Sequence, residues 1–393
     1  MTKRFFLTAL LTGLSLGQLR AAPADELGQR LAVIRAVGPE GRGNAEASRA
    51  WRDVSRADQP AIPAILAAMD GANDFTANWL RAAVDAIASR EASAAGQLPL
   101  AELGQFLLDT RHSPRARRMA FDLIARTDAT VTDKLLPGML NDPSLELRRD
   151  AVQQVIQQGS LLLTNGNKPG ATLLFQQALN FARDVDQIDG VSKSLRELGR
   201  PVDLATHFGF LTQWKVIGPF DNTGGKGFDT VFPPEQKVDF AAEYDGKQGK
   251  VRWQSFVSKH EYGMVDINQP CGKLKEVTAY AITDFYADKA QPAELRLGGK
   301  NSWKIWFNGQ LLFGRDEYHR AAEIDQYRMP VTLQPGRNTI LVKVCQNEQV
   351  EDWTVEWEFQ LRITDALGTP IHSTRNPVLA GAQIISTAST RSN

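Results

Sequence analysis

Six consecutive residues, Arg315-Asp316-Glu317-Tyr318-His319-Arg320, place acid, base, aromatic ring and imidazole in one short stretch of this 393-residue chain. Loops at the end of a rigid scaffold are where ligands are usually held, so this stretch is the first candidate site. No two of His112, His207, His260, His319 and His372 stand at i, i+3 or i+4, so the spacing signals no zinc site. Cleaving a glycosidic bond needs two carboxylates facing each other about 5–10 Å apart. Asp316/Glu317 and Glu351/Asp352 are acid pairs, but neighbours on a strand point to opposite faces, so neither pair supplies that geometry by itself. The same acids, with backbone carbonyls, could hold a structural Ca2+, although no Asp-x-Asp-x-Asp ladder is present. No other cofactor is implied.

Sugar binding asks for different residues, namely aromatic faces that stack on C–H surfaces and forked polar groups that fix hydroxyls. Trp306 has the opposite strand parity from Trp303, Ile305 and Phe307, so one tryptophan face can be exposed. The candidate ligand-binding set is Trp306, Arg315, Asp316, Glu317, Tyr318, His319, Tyr327 and Arg328, with Asn347 and Trp353 as further contributors; Trp303, Trp353 and Trp357 also read as core. A hydrolase would instead assemble Asp221, Glu235, Asp316, Glu317 and His319. Two apparent motifs fall away. Gly13-Leu14-Ser15-Leu16-Gly17 lies in an apolar leader rather than at a strand–turn–helix junction. Gly224-Gly225-Lys226-Gly227 lacks the Ser or Thr and the earlier Gly of a phosphate loop.

The elements that must carry these residues differ between the two halves. Asn308-Gly309 between apolar runs predicts a hairpin with positive φ at both turn residues, and Pro335-Gly336 predicts a second turn. Trp353, Val355, Trp357, Phe359, Leu361 and Ile363 share one parity and predict a long half-buried strand; Ile340, Val342 and Val344 repeat the pattern. From Asp25 to about Leu204 the apolar spacing is helical. Leu80-Arg81-Ala82-Ala83-Val84, Arg117-Arg118-Met119-Ala120-Phe121 and Arg148-Arg149-Asp150-Ala151-Val152 each follow a helix start, at Asn73-Asp74, Ser113-Pro114 and Asp142-Pro143-Ser144. Arg81, Arg118 and Arg149 are 37 and then 31 residues apart, near the period of stacked helix pairs. Residues 170–198 predict a further helical hairpin that caps the stack, ended by Gly199-Arg200-Pro201. The expected fold class is therefore α+β multidomain, an α-solenoid over 25–204 followed by an antiparallel β-sandwich, or jelly roll, over 205–367. A Ser/Thr/Asn-rich tail over 368–393 is expected to be disordered.

Lys3 and Arg4, an apolar run from Phe5 to Leu16 and Ala22-Pro23-Ala24 form a signal-peptide pattern over 1–24, so export to the periplasm or cell exterior is expected. No other run is long enough to span a bilayer. Lys+Arg and Asp+Glu are both 45, so no global field recruits nucleic acid. Cys271 and Cys345, the only cysteines, read either as a disulfide or as two buried thiols.

The helical region resembles HEAT repeats, in which an Asp-Pro turn leads into a helix carrying Arg and a small Ala. Lys304-Ile305-Trp306-Phe307-Asn308-Gly309 with Leu333-Gln334-Pro335-Gly336-Arg337-Asn338 and the strand 339–344 resembles the galactose-binding-domain-like jelly rolls of secreted glycoside hydrolases. Trp214 to Asn222 resembles the entry strand of uncharacterised exported bacterial proteins that couple the two architectures. The resemblance implies a fold, not an activity. The expected function is an exported, non-enzymatic binding or scaffold protein, with helical repeats contacting protein and the jelly roll contacting carbohydrate; the alternative is a polysaccharide-acting hydrolase.

Overall fold

A computed structural model describes residues 23–93 and 97–375. The expected signal segment up to residue 22 and the tail from 376 lie outside the described residues. The chain divides into two compact units between Gln154 and Val155.

In the first unit the helices are Pro23–Arg35 (α1), Asn44–Val54 (α2), Ile62–Ala67 (α3), Asp74–Ser93 (α4), Leu100–Leu108 (α5), Pro114–Thr127 (α6) and Ala129–Leu135 (α7); Leu145–Thr164 (α8) crosses the boundary. They stack as pairs, α1 on α2, α3 on α4 and α5 on α6. The three expected helix starts are capped. Asn73 Oδ1 accepts from the Thr76 amide (2.9 Å), Ser113 Oγ from Ala116 (3.3 Å), and Ser144 Oγ from Leu147 (3.5 Å), with the Ser144 amide donating in turn to Asp142 Oδ1 (2.7 Å). Leu80, Ala83, Val84, Ala120, Ala151 and Val152 are buried, so the repeated small and large apolar positions do face the packing interfaces. The arginine doublets split by helical geometry. Arg117 and Arg148 occupy the position of Leu80 and are buried, whereas Arg81 and Arg118 lie on the outer side.

The second unit carries the rest of α8, the hairpin Lys168–Phe181 (α9) and Val185–Glu197 (α10), the short helix Leu204–Phe208 (α11), and then the strands. The hairpin expected to cap the solenoid groups with the sandwich, where Tyr262 Oη donates to Asp189 Oδ1 (2.9 Å). The strands are Gln213–Asp221 (β1), Glu243–Gly246 (β2), Gly249–Arg252 (β3), Gln254–Val257 (β4), Val265–Asp266 (β5), Val277–Ala287 (β6), Gln291–Gly299 (β7), Ser302–Phe307 (β8), Gln310–Arg315 (β9), Tyr327–Leu333 (β10), Gly336–Gln346 (β11) and Glu358–Thr364 (β12). One sheet runs β4-β1-β6-β11-β8-β9, the other β10-β7-β12-β5, and all their pairings are antiparallel. From β6 onward every connection except β8–β9 switches sheets, the crossing pattern of a jelly-roll sandwich. The two inner faces share one core, including Trp214, Trp303, Ile305, Val342, Trp357, Phe359 and Leu361.

The turns form as their residues require. Asn308 and Gly309 have φ of 51° and 80° between β8 and β9, and Gly336 has φ 84° after Pro335. Buried Asn338 ties the second turn by accepting from Gln334 N (2.9 Å) and donating to Gln334 O (2.8 Å). It also accepts from Asn308 Nδ2 (3.1 Å), so the two turns are linked.

Three expectations need correction. The strand expected from Trp353 starts only at Glu358, because buried Thr354 gathers 349–354 into a turn. Its carbonyl accepts from Lys275 Nζ (2.7 Å) and Gln346 Nε2 (3.0 Å), and its hydroxyl lies 2.7 Å from Glu351 O. Cys271 and Cys345 are free thiols. Cys271 packs against the inner core, whereas Cys345 shares the outward parity of Leu341 and Lys343 and accepts from Thr278 Oγ1 (3.2 Å). Residues 368–375 are held rather than loose: Pro370 bridges Thr364, Ile371 N donates to Ile363 O (2.9 Å) and Thr374 N to Tyr286 O (2.9 Å).

Candidate ligand-contact site

The structure disperses the expected ligand set. Trp306 points to the outer face of the six-stranded sheet, but it is only 8% exposed, because Val251 and Trp253, between β2 and β4, fold over that face and cluster with it and with Phe220 of β1. Tyr327 turns inward and meets Trp303 edge-on with centroids 5.0 Å apart. Arg328 is exposed on the second sheet, opposite Arg296 in register. Arg315, at the end of β9, pairs with Glu317 (3.0 Å), which also pairs with Arg320 (2.8 Å); Asp316 is exposed. The segment after β9 then lies flat on the four-stranded sheet, where a Cβ at Gly298 would fall 2.3 Å from Glu323 O.

Apart from the Arg315–Glu317 pair, only Tyr318 and His319 of the expected set come together, and they do so with residues from three other segments. Asn222, just past β1, donates from Nδ2 to Tyr318 Oη (3.2 Å) and to Gln346 O (2.9 Å). Burial pushes the Tyr318 phenol up to about 12, so it stays protonated at neutral pH. His319 has φ 58°, and its Nε2 donates to Asn347 Oδ1 (2.8 Å). Asn347 Nδ2 in turn donates to Gln349 (3.0 Å). Beside the imidazole, with centroids 5.3 Å apart and planes at 84°, stands Trp353, which is 62% exposed. An outward indole face with a hydrogen-bonded imidazole and amides at its edge can stack on an apolar ring surface and meet its hydroxyls. Asn222 escaped the sequence reading because its partners lie about a hundred residues away in the chain. Trp353 was legible as an aromatic but not as an exposed one.

The acids of the hydrolase alternative are engaged in separate places. Glu235 accepts from buried Lys343 Nζ (2.8 Å) and from Tyr280 Oη. Asp221 pairs with Lys247 (3.1 Å), and hydrogen bonding from Thr223 and that lysine holds its carboxyl below the usual range, opposite to what a general acid requires. Among the described residues no group of three or more His, Cys, Asp or Glu is placed to hold a metal ion, and no helix is long and apolar enough to cross a membrane.

In the first unit a groove of about 780 Å³ is lined by Arg81, Asp85, Arg118 and Asp122, the same two positions on successive pairs, together with Asp74, Arg115, Arg126 and Glu146. Arg115–Asp74 (2.9 Å), Arg118–Asp122 (3.0 Å) and Arg126–Asp85 (4.0 Å) form a ladder of alternating sign along it.

No protein-family model matches the chain, and no curated protein sequence matches it. Among solved structures it is similar to a GH31 alpha-xylosidase from Xanthomonas citri, at 10% identity and a TM-score of 0.20 over 40% of this chain. The chain covers 16% of that enzyme, and a likeness so slight carries no argument about fold or activity.

Proposed function

We propose that this chain is an exported, non-enzymatic binding protein. In this reading its helix pairs, HEAT-like in their turn-and-arginine pattern, contact a protein, and its sandwich, galactose-binding-like in its turn motifs, contacts carbohydrate. The observation that carries the reading is Trp353, whose indole is 62% exposed on a turn fixed by buried Thr354 and flanked by His319 and Asn347. An exposed aromatic face on a fixed turn, with hydrogen-bonding groups at its edge, is the arrangement that stacks on a sugar ring. The groove's alternating charges suit a partner segment that carries both signs. Three of the four carboxylates that hydrolysis would use, Asp221, Glu235 and Glu317, are already bonded to lysines or arginines.

The test is a glycan array probed with the full chain and with Trp353→Ala. A defined subset of glycans should be retained by the parent and weakened about tenfold or more in the variant, a loss of roughly 1.4 kcal/mol. A flat array from folded parent protein overturns the carbohydrate half.

A further inference from the structure

A second cavity in the sandwich unit, of about 300 Å³, has no role in the reading above. Its ionisable lining is entirely basic: Arg183 after α9, His207 on α11, Arg362 on β12 and His372 in the segment after β12; no carboxylate among the described residues lines it. Thr369 adds a hydroxyl, which accepts from Arg183 Nε (3.3 Å) and keeps its own hydrogen to donate. Arg362 is held in place by Asp325 (2.7 and 2.6 Å) and by Phe208 O (3.1 Å), so its guanidinium is fixed in the wall with its charge shared with that carboxylate. The imidazoles of His207 and His372 make no side-chain hydrogen bond to a described residue; the His207 backbone amide donates to Asp203 O (2.9 Å).

We infer that this cavity binds a small molecule through an oxyanion group, a phosphate or a carboxylate, held between the two imidazoles, the Arg183 guanidinium and the Thr369 hydroxyl. A cavity of this size suits a ligand no larger than a monosaccharide derivative. The charged groups around His207 are Arg183, His372 and Arg362, with Asp203 at the start of α11 engaged by Thr206 (2.8 Å) and Asp189, beyond Phe208, engaged by Tyr262 (2.9 Å). Burial first, and then the positive neighbours, lower the His207 value from 6.5, so without ligand the ring is neutral near neutral pH. An anion reverses that balance by favouring the imidazolium. Binding at His207 therefore takes up a proton, and affinity rises as pH falls, by at most about tenfold per pH unit.

The experiment follows the imidazole Cε1–H signals of the five histidines by NMR while inorganic phosphate, and separately acetate, is added to the full chain above and below pH 6.5. Saturable shifts of His207 and His372 alone, tighter at the lower pH, are expected. His372→Gln, a change at an exposed position, should weaken the titration several-fold without unfolding the protein. Tighter phosphate than acetate identifies a phosphate site, and the reverse a carboxylate site. No saturable shift, equal shifts in all five imidazoles, or an unchanged titration in His372→Gln overturns the inference.

Discussion

In the helical unit a buried ion pair ties one helix pair to the next, whereas in the sandwich buried charges tie connecting segments onto the outer faces of the sheets. Arg117 donates to both oxygens of Asp142 (2.7 and 2.6 Å) and to Leu107 O (2.7 Å), and Arg148 Nε reaches Asp142 O (3.0 Å). That one aspartate joins α6 and α8 through the turn between them. In the sandwich, Asp325 anchors the segment after β9 to Arg296 (2.6 Å) and Arg362 (2.6 Å), and Lys343 on β11 holds the segment after β1 through Phe228 O (2.9 Å), Thr230 O (2.8 Å) and Glu235 (2.8 Å). The difference shows where surface chemistry is left over. In the helical unit Arg117 is buried and its neighbour Arg118 lines the groove, while in the sandwich connecting segments cover parts of both outer faces and Trp353 is left exposed on a turn.

The comparison breaks first at Asp142. In Asp142→Ala, Arg117 remains in the interior with its charge, which a guanidinium cannot shed. A loss of about 3–5 kcal/mol is expected from urea unfolding followed by far-UV circular dichroism. A loss below about 1 kcal/mol would mean that the pair does not hold the helices together.

Glu235→Gln is expected to cost less, about 1–3 kcal/mol, since Lys343 keeps two carbonyl partners. Unlike arginine, Lys343 can also release its proton. Burial already lowers its value against the pull of Glu235, and removing that carboxylate lowers it further. A lysine depressed in the folded state carries its full penalty below its folded value, and the penalty fades as pH rises towards the ordinary 10.5. The deficit of the variant against the parent should therefore be smaller at about pH 9 than at about pH 7. An equal or larger deficit at the higher pH would show that Lys343 does not titrate in this environment.

Much of the frame was legible because its signals are local. The Asn308-Gly309 and Pro335-Gly336 turns, the inward parity of Trp303, Ile305 and Phe307, and the starts of α4, α6 and α8 each depend on residues within a few positions. Asn338 shows the limit of such reading: its place in the turn motif was visible, but its bond to Asn308 across two strands was not. The site read poorly for the same reason. Strand parity correctly put Trp306 on the outer face, yet nothing local told that Val251 and Trp253 would cover it. Trp353 fits the alternation of the strand that follows, but the partners of Thr354, Gln346 eight residues back and the distant Lys275, bend the chain before that strand begins.

The smallest stability effect is expected at that tryptophan. Trp353→Ala removes a side chain that is mostly in water, so unfolding should change by no more than about 0.5 kcal/mol. Acrylamide quenching gives an independent reading. Of the eight tryptophans, Trp214, Trp253, Trp303, Trp306 and Trp357 are buried and Trp51 and Trp79 half-buried, so Trp353 should dominate the readily quenched emission. Losing that fraction in the variant while stability holds would separate a surface contact from a core support. A destabilisation of about 2 kcal/mol or more would instead make Trp353 a packing residue, because that is the scale of a buried aromatic and not of an exposed one.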